Sequence, residues 1–273
     1  MERETRALIL VTNDDGVASP GLAAAMRSVL DLAEVWVVAP SVQRSGLSRS
    51  FVNGPLQVEA STLTIDGVEV RSFAVDKPPA QAVRHGLLCL LPRMPNLAIS
   101  GINYGENLGA SITISGTIGA AIETASFGIP TLAASLETDK KYHFSQSPDV
   151  DFSAASAFVR RWAKWLLTHS MPAGVDILKL DVPCTATPHT PWRMTRVSRQ
   201  QYWLSPVTTD LQGQRHLSGY MREIDYETLE ADSDIYAVVV DRVVSLSPLT
   251  IDLTAKVDLP LLQRRLSTED NMG

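Results

Sequence analysis

Asp14 and Asp15 are adjacent carboxylates at the end of a short apolar run, residues 7–12, in the stretch ALILVTNDDGVASPG. Neighbouring strand side chains point to opposite faces, so the two acids converge only if the chain turns there, and Gly16 permits that turn. Ligands bind at the carboxyl edge of an open α/β sheet, and two carboxylates at that edge most readily hold a hard divalent cation. Ser45 and Asn103 follow two further candidate strands and add neutral oxygen donors. That set suits one Mg²⁺ or Mn²⁺, which keeps some water and shares its other ligands with a phosphate. Ser115, Gly116 and Thr117 stand immediately before a candidate helix, and a helix N-terminus preceded by small hydroxyl residues is an anion site. Gly105 and Asn107 lie between these groups, in a glycine-rich segment where the backbone can approach a ligand. A phosphoryl group is the substrate such a set would serve, with the cation polarising a non-bridging oxygen and acidifying a water.

Each feature alone has a plainer explanation. Asp-Asp-Gly after a strand is often only a turn, Ser45 in Ser-Gly-Leu-Ser only turn chemistry, and Asn103 and Asn107 only carriers of left-handed conformations. Ser115-Gly116-Thr117 would then be an ordinary helix start, and it is no Walker loop because no Lys follows. What favours a site is that all of them fall at carboxyl ends of strands in one sheet.

The elements that must position these residues alternate. Residues 7–12 read as a buried parallel strand, followed by a helix from Ser19-Pro20 to about Leu32 and a strand over residues 34–39. A hairpin over residues 63–75 turns at Asp66-Gly67. Pro78 and Pro79 open a helix running to about Leu91, and residues 97–100 form the next strand. A helix over residues 118–127, a strand over 131–135, an amphipathic helix from Phe152 to Leu166 and a strand over 177–182 complete a doubly wound, mostly parallel α/β sheet. Beyond Pro183, prolines and polar residues replace the periodicity. The expected division is a core over residues 1–184, a β-rich oligomerisation extension over 185–235, and a segment over 236–273 returning to the core or a partner subunit. In that segment residues 236–246 read as a strand and 259–266 as a closing helix.

With 45% hydrophobic and 20% charged residues, the 273-residue chain is an ordinary globular composition. No apolar stretch reaches the roughly 18 residues of a membrane span, and the opening run is too short for a secretory signal, so a cytoplasmic enzyme is expected. The net charge of −6 argues against non-specific nucleic-acid binding. Cys89 and Cys184 read as two buried thiols. The five histidines show no ligand spacing, although His143 lies in a polar loop within reach of a substrate. The first βα turn, N-D-D-G-V-A-S-P-G, lacks the glycine fingerprint of a dinucleotide-dependent oxidoreductase.

The ordered set LVTNDDGVASPG, APSVQRSGLS, SGINYGENLG, ISGTIGAA and SPLTIDLTA resembles the SurE family, the stationary-phase survival proteins. The likeness runs from Leu8 to about Leu266 and is weakest over residues 185–234. It implies a Rossmann-like core with a C-terminal β arm shared between subunits of a homodimer or homotetramer. It further implies a metal-dependent phosphatase acting on nucleoside 5′- and 3′-monophosphates, in some members also on short polyphosphate. The family's metal ligands fall on Asp14, Asp15, Ser45 and Asn103, with Asp14 and Asp15 the catalytic carboxylates. Its phosphate loop falls on Ser115, Gly116 and Thr117, with Asn103, Gly105 and Asn107 nearby. The chain departs from the family pattern at Ser41, over residues 77–83, at Ile114 and over residues 137–141, places that bear on the nucleoside more than on the phosphate. A nucleotide-binding regulatory module without efficient turnover is the competing expectation.

Overall fold

The structure, a computed structural model, describes residues 6–269. Its centre is β1 (Leu8–Thr12), whose five residues are all buried. Ile9 and Val11 face one apolar cluster and Leu10 the other, the period-two alternation of a strand covered on both sides. Around it, β2 (Glu34–Pro40), β3 (Val58–Ile65), β4 (Val68–Val75), β5 (Leu97–Tyr104), β6 (Thr131–Leu136), β7 (Ile177–Val182), β8 (Trp192–Met194) and β13 (Val244–Leu249) build a nine-stranded sheet in the order β3-β4-β2-β1-β5-β6-β7-β13-β8. The six central strands are parallel, while β3 against β4 and β13 against β7 run antiparallel.

Helices α1 (Pro20–Arg27) and α4 (Ser153–Thr168) cover one face, and α2 (Pro79–His85) and α3 (Gly116–Ala125) the other. Phe158 and Val159 of α4 and Leu22 and Met26 of α1 are buried against the sheet, each large apolar side chain contributing about 1.5–3 kcal/mol. From β1 the chain works outward through β2 to β4, then returns to β5 and works the other way, so the order reverses between β1 and β5. A crevice opens at such a reversal, outside the carboxyl ends of the strands. Asp14, Asp15 and Asn103 lie at that reversal.

The expected class, an α/β doubly wound, mostly parallel sheet with a C-terminal β-rich extension, is the class observed. Four local expectations are corrected. Strand β5 does not stop at Ser100 but continues to Tyr104 through a register shift between Ser100 and Asn103. Gly101 makes this possible: it sits at φ +126°, and a Cβ there would lie 2.2 Å from the Ala134 carbonyl. The first helix ends at Arg27 rather than Leu32. Residues 236–246 are not one strand: Tyr236–Val240 is a wide helical turn, and the strand begins only at Val244. Finally, Cys89 and Cys184 are exposed free thiols, not buried ones. Helix α2 passes into a wide turn, Gly86–Leu90, that buries Leu87 and turns Leu88 and Cys89 outward.

In the extension, β9 (Trp203–Leu204) pairs with β12 (Met221–Arg222), and β10 (Val207–Thr209) with β11 (Arg215–Leu217). Tyr202 is fully buried with Leu108, Ile235 and Val238, seating the extension beside the loop after β5. Helix α5 (Leu259–Glu269) lies beyond, with Leu259, Leu261, Leu262 and Leu266 exposed. Among the described residues no helix is long and apolar enough to cross a membrane.

Candidate active site

The turn at the end of β1 is closed by Asn13, whose amide donates to the Gly16 carbonyl and whose Oδ1 accepts from the Gly16 N–H, both at 3.1 Å. Asp14 and Asp15 are 3% and 1% exposed. The Thr117 hydroxyl donates to Asp14 Oδ1 at 2.6 Å. Asp15 accepts from Gln43 Nε2 at 3.1 Å and from the Tyr104 N–H at 3.3 Å. Burial pushes the Asp14 carboxyl up against the pull of its Thr117 hydrogen bonds. It raises Asp15 well above the ordinary range, with the neighbouring Asp14 charge adding to the effect. Among the described residues no Lys or Arg forms an ion pair with either. Two buried, adjacent and unneutralised carboxylates are stable together only with a proton or a cation between them.

Ser45 and Asn103 arrive beside them. Gln43 Nε2 also donates to Ser45 Oγ at 3.0 Å, tying the β2 loop to Asp15. The Asn103 amide nitrogen donates to the Gly105 carbonyl at 2.7 Å, so its Oδ1 is the side chain's acceptor. The donors are two carboxylates, a hydroxyl and an amide oxygen. Donors that are all oxygens fit a hard cation rather than a soft one; no group of three His, Cys, Asp or Glu side chains that could hold a metal occurs among the described residues.

Asp14, Ser45, Asn103, Gly105, Asn107 and Ser115 all line one cavity of about 370 Å³. Ser115 caps α3, its Oγ accepting from the Ile118 N–H at 3.2 Å. Gly116 packs so tightly on Asp14 that a Cβ there would lie 2.6 Å from Oδ2. Thr117 is fully buried and its hydroxyl is committed to Asp14. Asn107 is fixed by its backbone: its N–H donates to Asp181 at 2.8 Å, and Lys179 Nζ donates to its carbonyl at 2.9 Å. Lys179 is itself fully buried, paired with Asp181 and with Asp234 at 3.0 Å.

Part of the lining is aromatic and comes from segments without periodicity. Trp203, Tyr220, Phe144 and His143 line it. His143 stacks on Tyr220 with centroids 5.9 Å apart, its Nδ1 lies 2.8 Å from the Tyr220 hydroxyl, and Trp203 meets it edge-on. Burial lowers the His143 pKa, and its Nε2 is buried without a partner among the described residues. Glu106 also lines the cavity, 2% exposed. Burial pushes its carboxyl up to about 7 despite hydrogen bonds from Tyr202 and the nearby Arg222. Of these, the sequence marks only His143 as within reach of a substrate. Gln43, Glu106, Trp203 and Tyr220 carried no spacing that marked them.

The chain is similar to proteins already known. The profile of the family described as Survival protein SurE matches residues 9–204. This chain belongs to the SurE family. A relative named 5′-nucleotidase SurE from Thermococcus kodakarensis is 38% identical, over 94% of this chain and 98% of its own. Another of that name from Methanothrix thermoacetophila is 42% identical, over 92% and 95%. The crystal structure of the SurE protein from Aquifex aeolicus superposes with a TM-score of 0.75 at 27% identity, covering 94% of this chain and 99% of that one. Against this SurE framework the departures sort by place. Gln81, in the 77–83 segment, is occupied with the Val52 backbone and lies outside the cavity lining. The departure over residues 137–141 also lies outside the lining, but the loop it opens supplies His143 and Phe144 to it.

Proposed function

We propose that this SurE chain is a divalent-cation-dependent nucleotidase that hydrolyses nucleoside 5′-monophosphates to nucleoside and inorganic phosphate. The observation that carries the reading is the pair of buried, unneutralised carboxylates, Asp14 and Asp15, with Asp14 lining a cavity that Trp203, Tyr220 and Phe144 also line. The carboxylates suit a cation and phosphate, the rings a nucleoside. The names of the relatives agree with it.

Asp14, Asp15, Ser45 and Asn103 would hold one Mg²⁺ or Mn²⁺. When bound, that cation supplies a positive charge that polarises the phosphoryl group and acidifies a water. The chain's own residues do the positioning. Thr117 fixes Asp14, and Gln43 with the Tyr104 N–H fixes Asp15, so both carboxylates are preorganised. The start of α3 at Ser115, Gly116 and Thr117 receives the phosphoryl oxygens at a positive helix end. Gly105 and Asn107 shape the wall beside it, and Trp203 and Tyr220 offer ring faces to the base. A water oxygen bonds to phosphorus as the bond to the 5′ oxygen breaks, and that oxygen leaves with a proton. Positioning and electrostatics supply most of the catalysis in such a transfer.

The test is phosphate release from a panel of nucleoside 5′- and 3′-monophosphates and short polyphosphate, with Mg²⁺ and with Mn²⁺. Turnover of 5′-monophosphates that chelation abolishes supports the reading. Nucleotide binding without phosphate release would instead make the chain a regulatory module. The exposed leucines of α5 further support assembly of the chain as a homodimer or homotetramer.

A further inference from the structure

Strand β7 reads Ile-Leu-Lys-Leu-Asp-Val, and its alternation sends Leu178, Leu180 and Val182 to the main apolar cluster and Lys179 and Asp181 to the opposite face. Both charged side chains are fully buried there, as is Asp234 at the end of the extension. Burial pulls the Lys179 ammonium down, but the Asp181 and Asp234 charges outweigh it and hold its pKa above the ordinary value. An ammonium has three hydrogens, and Lys179 spends all three: on Asp181 Oδ2, on Asp234 Oδ2 at 3.0 Å and on the Asn107 carbonyl at 2.9 Å. Asp181 Oδ1 accepts from the Asn107 N–H at 2.8 Å. Asp234 accepts from the N–H groups of Gly109, Ser198 and Ile235 at 3.1, 2.9 and 2.8 Å. Ser135, which pairs with Asp181 across β6 and β7, accepts from Asn107 Nδ2 at 2.8 Å.

Asn107 is thus held at its N–H, its carbonyl and its side chain, and it lines the cavity. Stability does not account for the cluster, because apolar side chains of similar volume in place of buried ion pairs are often neutral or stabilising. What a fully satisfied buried network supplies is a single arrangement of the groups it bonds. We propose that Lys179, Asp181 and Asp234 are positioning residues for nucleotide hydrolysis, fixing the backbone from Asn107 to Gly109 so that Asn107 stands at the cavity wall ready for the substrate. The inference rests on the nucleotidase reading and adds three remote residues to it. None of the three lines the cavity, so they act through Asn107. Through Asp234 the extension has a part in shaping the site.

The substitutions that read it are Asp181→Leu and Asp181→Asn, which separate the hydrogen bond from the charge. The cluster holds one cation and two carboxylates, so either substitution leaves a balanced pair of Lys179 and Asp234. Only asparagine keeps an acceptor for the Asn107 N–H. Asp181→Leu is expected to raise KM for adenosine 5′-monophosphate about tenfold, as loss of one hydrogen bond to a charged group implies. The change in kcat is smaller, because Thr117, Gln43 and the Tyr104 N–H still fix Asp14 and Asp15. Asp181→Asn, the conservative variant, recovers KM to within about threefold of the parent. An unchanged KM in Asp181→Leu, or an equal loss in both variants, would overturn the proposal.

Should Asp181→Leu fail to fold, Ser135→Ala decides, since it removes one hydroxyl from Asn107 and no charge. A rise in KM of about fivefold supports the proposal, and an unchanged KM overturns it. Amide hydrogen exchange adds a readout that needs no substrate. The Asn107 N–H is protected in the parent and in Asp181→Asn, and exchanges about tenfold faster in Asp181→Leu. Equal exchange in all three proteins overturns the proposal while leaving nucleotidase activity standing. Absence of nucleotide turnover by the parent, with that pattern of exchange intact, overturns the nucleotidase reading itself, and the positioning role in it.

Discussion

At the scale of single residues the site is a problem of charge. Asp14 and Asp15 are buried side by side, and the carboxyl of each is raised, first by burial and for Asp15 also by the Asp14 charge. A raised carboxyl retains its proton in the folded chain at pH values where the unfolded chain has lost it. Its stabilising effect is therefore full below the ordinary carboxylate value of 3.8 and is lost as pH rises through the folded value. Glu106, at about 7, acts in the same sense, while the lowered His143 acts in the opposite one below its ordinary 6.5. A cation binds the ionised form, so it competes with those protons. The expected outcome is that Mn²⁺ raises the thermal midpoint more at about pH 7.5 than at about pH 5, measured by scanning calorimetry with and without chelator. An equal gain at both would contradict it. Thr117 tests the same point sterically. Thr117→Val keeps the shape but removes the hydroxyl that holds Asp14, and should weaken Mn²⁺ affinity or lower kcat about tenfold to a hundredfold. An unaltered titration would show that Asp14 needs no such support.

Between elements, the extension is fastened to the core by charge as well as by packing. Arg222 on β12 reaches Glu106 after β5 and Glu137 after β6, at 3.2 and 3.3 Å. Arg222→Ala should loosen the β9–β12 ribbon over the cavity and raise KM for nucleotides about tenfold, with a smaller change in kcat, because the cation end lies on other strands. A loss confined to kcat would contradict that division. What was legible beforehand follows from the same geometry. The carboxyl ends of β1, β2 and β5 were readable because short apolar runs bounded by turn residues mark buried strands, so Asp14, Asp15, Ser45 and Asn103 could be gathered to one edge. The continuation of β5 to Tyr104 was not, since a bulge at Gly101 breaks the alternation that defines a strand. Nor was the antiparallel entry of β13 beside β7, because a strand's pattern carries its faces but not its direction. Trp203 and Tyr220 escaped for a third reason: tertiary contacts alone bring them to the cavity. The same limit misplaced Cys89, whose apolar neighbours suggested a core that the wide turn rotates away.

For the molecule as a whole, one helix carries a group of exposed leucines. Leu259, Leu261, Leu262 and Leu266 lie exposed on α5, beyond the strand that completes the sheet. Exposed leucines grouped on one short helix are characteristic of a surface covered on association. Light scattering after size exclusion should give a mass two or four times that of the chain, and the double substitution Leu262→Glu with Leu266→Glu should lower it. A monomeric parent protein would contradict the assembly. The central claim is tested most directly elsewhere, by phosphate release from a nucleoside 5′-monophosphate with Mn²⁺, comparing the parent chain with Asp15→Asn. The account predicts turnover by the parent that chelation abolishes, and a loss of about a thousandfold or more in the variant. Equal rates for the two proteins would contradict it.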